Sequence, residues 1–271
     1  MQALCEWPEE DRRQVVGVCT DIDDTLTTDG AITPEALAAL ACLKQAGLPV
    51  LAITGRPLGW SVPFAQAWPV DAIVAENGSV ALVHGPEGLA QLYLQDAATR
   101  ARNFARMEQV AIRVMREVPG ALLSRDSSGR ETDIAIDHSE FTHLPGDAIA
   151  EVVRVMQSEG MSATVSSIHI NGWYGDHNKL VGARWIVQQL WGRTLDSDIA
   201  HWVYVGDSTN DQLMFQAFDN SIGVANIRRF VPQLLHLPRY VTQAERGAGF
   251  AEVVQALLST PGRPRPNASP A

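Results

Sequence analysis

The stretch Val15-Val16-Gly17-Val18-Cys19-Thr20-Asp21-Ile22-Asp23-Asp24-Thr25 sets the reading of the whole chain. Its first six residues are an apolar, β-branched run of the kind that forms a buried parallel strand. The run stops abruptly at two acids, Asp21 and Asp23, which therefore stand just past a strand end. The same grammar recurs downstream. Thr33 precedes Pro34 and an Ala/Leu-rich segment, so Thr33 reads as the N-cap of a helix with Pro34 at its first position and a stop at Gly47. A second apolar strand, Pro49 to Ile53, runs into Thr54-Gly55-Arg56-Pro57. A third, Ala72 to Ala75, runs into Glu76-Asn77-Gly78. Strand–helix–strand alternation predicts an α/β fold with a doubly wound parallel sheet.

The middle of the chain has another character. Ala98 to Val118 and Gly146 to Ser158 are amphipathic helix patterns. Thr132 to Asp137 alternates with period two, as a strand with one exposed face does, and Ala163 to Ile170 also reads as strand. A small α+β insert over 87–175 follows from this. The first pattern then resumes: helix over Leu180 to Leu190, strand Trp202 to Val205 leading into Gly206-Asp207-Ser208-Thr209-Asn210-Asp211, strand Ser221 to Val224, and helix Phe250 to Leu258. The expected organisation is a loose arm at 1–14, a core at 15–86 and 176–258, the insert at 87–175, and a disordered Pro-rich tail at 259–271.

The bulk numbers narrow the function. With 271 residues the chain accommodates a core domain and an inserted one. A net charge of -10 argues against general binding of nucleic acid or anionic membrane surfaces. Three widely spaced cysteines, Cys5, Cys19 and Cys42, suggest neither a disulfide framework nor a zinc site. No secretory signal and no membrane-length apolar run is visible, so a cytoplasmic location is expected. The oligomeric state is open.

In an open parallel sheet, ligands bind beyond the carboxyl ends of the strands. Asp21, Asp23, Thr54, Asp207 and Asp211 follow strands, and Lys179 starts a helix, so all are expected on one rim. Clustered carboxylates need a compensating charge, and a hard divalent cation such as Mg²⁺ supplies it through oxygen ligands. Asp21, Asp207 and Asp211 are candidate metal ligands. Lys179 offers a fixed positive charge and Thr54 a hydroxyl donor. Asp21 is then a candidate nucleophile toward phosphorus, and Asp23 a candidate acid and base. Each piece alone has a plainer reading as a turn, a cap or a solvated helix start; the set is what carries weight.

That set resembles the haloacid dehalogenase superfamily. Asp21-Ile22-Asp23-Asp24-Thr25 is similar to its D-x-D-x-T motif, Ile53-Thr54-Gly55-Arg56 to its second, Lys179 to its third, and Gly206-Asp207-Ser208-Thr209-Asn210-Asp211 to its G-D-x-x-N-D fourth. The resemblance implies a Rossmann-like core with a C2-type cap of the IIB subclass, an aspartyl-phosphate intermediate, and Mg²⁺ held by the Asp21 and Asp207 side chains and the Asp23 backbone carbonyl. The subclass includes sucrose-phosphate and trehalose-phosphate phosphatases, the Cof-type sugar phosphatases and phosphomannomutases. Asp24 stands where Gly is frequent; it is expected to stay out of the site and cap the following turn.

The expected function is therefore Mg²⁺-dependent phosphatase action on a small phosphorylated metabolite, a sugar phosphate, with a phosphomutase of the phosphomannomutase type as the alternative and a non-catalytic binding protein third. Candidate substrate contacts are Arg56, Asn77, Asn210, His169, Asn171 and Trp173. For His169 and Trp173 a satisfied structural histidine and a hinge-packing indole are equally open readings.

Overall fold

The computed structural model describes residues 1–85 and 87–262. Its strands in chain order are β1 (Gln2–Ala3), β2 (Gly17–Thr20), β3 (Thr27–Thr28), β4 (Ala31–Ile32), β5 (Val50–Ile53), β6 (Ala72–Ala75), β7 (Val80–Gly85), β8 (Gly88–Tyr93), β9 (Leu122–Leu123), β10 (Ile134–Asp137), β11 (Ser162–Val165), β12 (His169–Trp173), β13 (Trp202–Gly206), β14 (Asn220–Gly223) and β15 (Tyr240–Val241). The helices are α1 (Glu9–Gln14), α2 (Pro34–Gln45), α3 (Leu58–Ala67), α4 (Ala97–Glu117), α5 (Gly146–Ser158), α6 (Lys179–Trp191), α7 (Leu195–Asp198), α8 (Gln212–Ala217) and α9 (Arg246–Leu258).

The main sheet has the order β1-β15-β14-β13-β2-β5-β6-β7-β8. It is parallel from β1 to β6, and β7 and β8 close it antiparallel. Every residue of β2, β5, β6 and β13 is buried, because helices cover both faces. On one face Leu40 and Leu43 of α2, Ala65 of α3 and Phe250 of α9 pack on Val18, Val50 and Val203. On the other, Ile186 and Val187 of α6 and Phe215 of α8 pack on Cys19, Leu51 and Tyr204. The chain winds outward from β2 in both directions, so β2, β5 and β13 flank the switch point where a ligand crevice is expected.

The insert is a four-stranded antiparallel sheet, β11-β12-β10-β9, with α4 and α5 on one face. Met107, Val114, Val152 and Met156 of those helices bury against Ile136 and Ile170. The other face lies on the core rim. That explains why β10 is buried throughout rather than half-exposed: its wet face is covered by the core, and Asp133 just before it accepts a hydrogen bond from Asn77 at 3.0 Å.

Other expectations need correction. Residues 1–14 are not a loose arm: β1 pairs with β15, α1 follows, and the Trp7 indole is buried and donates to Asn220 Oδ1 at 2.9 Å. The segment 88–93, assigned to the insert, is instead the outer strand of the core sheet. Ala163 to Ile170 is two strands, because the Ser166 hydroxyl accepts from the Ile168 and His169 amides and turns the chain. Helix α3 went unread because Pro63 sits inside it. Of the expected disordered tail, residues 259–262 pack back, with Thr260 Oγ1 donating to Ala256 O at 3.0 Å; residues 263–271 lie outside the described residues. Among the described residues, no helix is long and apolar enough to cross a membrane.

Candidate active site

Asp21 and Asp23 stand where β2 ends, at the switch point. Asp21 is held by its amide, which donates to Val205 O of the neighbouring β13 at 2.8 Å. Lys179 opens α6 behind Asn178, whose side chain caps the helix by accepting from Leu180 N and Val181 N. The start of α6 comes this close because two glycines meet there. A Cβ on Gly182 would lie 2.5 Å from Gly78 Cα, and one on Gly78 would lie 2.2 Å from Asn178 O. The result is a buried contact: Lys179 Nζ donates to Asp21 Oδ1 and to Asp211 Oδ1, each at 2.6 Å.

Asp211 is already fully engaged. Its Oδ1 also accepts from the Tyr204 hydroxyl at 2.5 Å, and its Oδ2 accepts from the Asp207 and Ser208 amides at 2.9 and 3.2 Å. Asp211 belongs to the acidic cluster with Asp21 and Asp207, whose oxygens lie within 4.8 Å of one another. Its four donors give it the task of holding Lys179 and the loop after β13, more than that of coordinating an ion. Asp207 differs. Asn226 Nδ2 donates to its Oδ2 at 3.0 Å, while its Oδ1 is buried with no partner. A buried, unpartnered carboxylate oxygen beside a second carboxylate fits a divalent cation with oxygen ligands. Burial pushes the Asp21 carboxyl up to about 8, with Lys179 opposing and Asp211 and Asp23 reinforcing. Burial, then Asp21 and Asp211, push Asp207 well up. The cluster carries more negative charge than Lys179 neutralises.

Asp23 points to the other side of the rim. Thr54 Oγ1 donates to its Oδ2 at 3.4 Å and Arg56 Nε to its Oδ1 at 2.9 Å. The Thr54 hydroxyl also accepts from the Arg56 amide at 3.0 Å. Arg56 is the link to the cap: its guanidinium donates to Glu140 at 2.8 and 3.2 Å and to Asp126 at 3.2 Å, and it lies over Trp60. His169 Nε2 meets Glu140 Oε2 at 2.9 Å. Burial would raise Glu140, but its bonds to His169 and Arg56 hold it down at about 2.

The remaining substrate candidates divide. Asn210 and His169 line a narrow cavity of about 10 Å³, with room for about one water, together with Asp21, Asp23, Arg56 and Asn171. Asn171 is nonetheless occupied as a tether, donating to Gly55 O at 3.2 Å and Asp133 Oδ2 at 3.0 Å. Asn77 is buried in a left-handed turn and also donates to Asp133. Trp173 lines neither that cavity nor the groove beside Asp23: it is buried, donates to His177 O at 3.0 Å and stacks on the His177 ring at the hinge. Asp24 does stay out of the cluster. It takes φ 55°, a value that suits Gly, and pairs with Arg246 at 3.1 Å instead of capping the turn.

Several contributors went unread or were read differently. Asn226 orients Asp207 and also donates to Asp24 O; its place just past β14, on the same rim, was the available signal. Glu76 is wholly buried and accepts from Leu58 N, Glu131 N and Thr132 N, locking cap to core. Arg130 reaches across to Gly55 O at 2.9 Å and pairs with Asp133 at 2.7 Å. Burial pushes Asp133 up to about 7 against that pairing. The sequence offers Arg130, with Arg125, as a candidate contact for a second anionic group or a solvated loop residue; the structure makes it a buried tie to Gly55 and Asp133, and Glu76 has its cap partners 55 and 56 positions away.

The chain as a whole is similar to several known proteins. A family model described as haloacid dehalogenase-like hydrolase matches residues 18–144. A phosphoglycolate phosphatase of Methanothermobacter thermautotrophicus is 27% identical over 247 residues, covering 89% of this chain and 98% of the relative. Among solved structures, a Thermoplasma acidophilum protein superposes with a TM-score of 0.70 at 15% identity, covering 90% of this chain and 98% of its own. The sucrose-phosphatase of Synechocystis, solved with sucrose and phosphate, gives 0.63 at 16% identity, covering 90% and 98%. These structures share the capped α/β fold. The family match takes in the acid-bearing end of β2, the Thr54 loop and much of the cap, so this part of the chain is similar to the haloacid dehalogenase-like hydrolases.

Proposed function

We propose that this chain is a Mg²⁺-dependent phosphatase that hydrolyses a small phosphomonoester, a sugar phosphate, through a phosphorylated Asp21. The observation that carries the reading is Lys179 Nζ held at 2.6 Å between Asp21 and Asp211, beside the unpartnered Oδ1 of Asp207. Asp21, Asp207 and, by the family resemblance, the Asp23 backbone carbonyl would hold Mg²⁺, which supplies positive charge to the phosphoryl oxygens.

An Asp21 carboxylate oxygen forms a bond to phosphorus, and the bond from phosphorus to the leaving oxygen breaks with its electron pair. Asp23 gives its proton to that oxygen, so an alcohol departs. Water then attacks the same phosphorus, Asp23 takes a proton from it, and Asp21 is released with inorganic phosphate. Lys179 stays charged throughout and offsets the approach of an anion to an anion. Burial of the cluster makes each of these charges count for more than it would in water.

A groove of about 400 Å³ opens beside Asp23, lined by Asp24, Asp29, Ser139, Glu140, Arg56 and Arg246 among others. Both arginines are paired with carboxylates there, and the acids accept hydrogen bonds from hydroxyls, which supports a polyol leaving group over an anionic one such as glycolate. The test is phosphate release from a panel of sugar phosphates and phosphoglycolate with and without Mg²⁺. Mg²⁺-dependent release from a sugar phosphate without a bisphosphate activator is expected. Failure with every ester overturns the reading, and turnover only with a bisphosphate present points to a mutase.

A further inference from the structure

Asp23 is gripped by two core groups, and the nearer of them is itself held by the cap. The Thr54 contact is long at 3.4 Å, while Arg56 Nε sits 2.9 Å from Asp23 Oδ1. The opposite edge of the Arg56 guanidinium is bound on both nitrogens by Glu140. Glu140 is in turn fixed by its own amide, which donates to Asp137 Oδ1 at 2.9 Å, and by His169 at 2.9 Å. Glu140 and His169 both belong to the cap, so this arrangement exists only with the cap seated.

We propose that Glu140 is a positioning residue for the general acid: through Arg56 it aims the Asp23 carboxyl at the leaving oxygen, and it does so only when the cap is closed. The inference rests on the phosphatase reading above. A plain adhesive role for Glu140 is redundant, because cap and core are tied independently by Arg130 and Asn171 to Gly55 O, by Asn77 to Asp133, and by Glu76 to the Glu131 and Thr132 amides. Removing the Glu140 charge leaves those ties and takes away the bidentate partner of Arg56. A guanidinium clamped on a carboxylate fork has a fixed direction; without the fork, Arg56 keeps on that side only the single Asp126 contact at 3.2 Å and the Trp60 face.

The test compares kcat/KM for 4-nitrophenyl phosphate and phenyl phosphate with Mg²⁺. The two esters differ by a para-nitro group, so each variant is compared with wild type on the same ester, and kcat/KM covers steps up to departure of the leaving group. Nitrophenolate leaves without a proton, whereas phenolate needs one. Glu140→Gln is expected to lower kcat/KM for phenyl phosphate roughly tenfold and for the nitrophenyl ester less than about threefold, with unchanged circular dichroism. Glu140→Asp is expected to fall between wild type and Glu140→Gln. Asp23→Asn should show a larger split of the same sign, and adding Glu140→Gln to it should widen the split no further. Equal losses on both esters, or a split that multiplies in the double variant, overturn the proposal. If Asp23→Asn alone shows no split, the acid assignment fails first and the proposal with it.

Discussion

Two charge clusters meet at the rim, and they are built on opposite terms. The first, Asp21, Lys179, Asp207 and Asp211, comes entirely from the core; it is buried, has three acids to one base, and leaves Asp207 Oδ1 without a partner. The second, Arg56, Asp126, Glu140 and His169, is drawn from both domains and bonds into a continuous chain. An unfinished cluster leaves a carboxylate oxygen free to take an added positive charge. A finished one serves to hold two bodies in register. Asp23 stands between them and connects the reaction to the seating of the cap.

The comparison breaks most sharply at Asp21. Asp21→Asn keeps the shape and the Lys179–Asp211 pair but removes the nucleophile, so kcat should fall by about 10³-fold or more while the thermal midpoint stays near that of wild type. A variant with a tenth of wild-type kcat would show that the core cluster is not the reacting one. The seam should respond the other way. Asn171→Ala removes bonds to Gly55 O and Asp133 Oδ2 within a buried network, which costs about 1–3 kcal/mol in a denaturant titration. Its effect on kcat should stay below about tenfold; a loss comparable to that of Asp21→Asn would make Asn171 part of the chemistry.

The hinge gives the smallest and most selective effect. His177 has both ring nitrogens buried without partners, and burial holds its imidazole down at about 4. Its pKa in the unfolded chain is about 6.5. The unfolded state therefore takes the proton first, and the stability present above pH 6.5 is lost as pH falls through that window toward 4. The loss reaches about 2 kcal/mol at pH 5. His177→Phe keeps the stack on Trp173 and has no proton to gain, so its melting temperature should drop less between pH 7 and pH 5 than that of wild type. Parallel pH profiles for the two proteins would discard the idea.

What was legible in the sequence follows the same division. Asp21, Thr54 and Asp207 could be placed because they terminate apolar strands, and parallel topology alone carries strand ends to one rim. Lys179 followed from its place at the start of a helix, which the structure shows capped by Asn178. The seam could not be read this way. Arg56 finds Glu140 84 positions away, and Glu76 finds Thr132 56 positions away, with no periodicity to announce either. Asn171 and Trp173 looked like substrate contacts because polar and aromatic residues near a domain junction suit both recognition and packing. Only the cap's placement decided that one is a tether and the other a hinge wedge. The alternation of Thr132 to Asp137 was real, but the face it left polar meets the core and not water.

The short N-terminal strand has a consequence for solubility. Without β1, the outer edge of β15 would present open amides and carbonyls beside the space vacated by Trp7, a ready template for another strand. With it, the edge passes to β1, which is as short as β15 and hands over directly to a helical turn, and Trp7 fills the space beside it. The first seven residues thus act as a guard for the β15 side of the nine-stranded sheet, remote from the candidate site, while β8 forms the opposite edge.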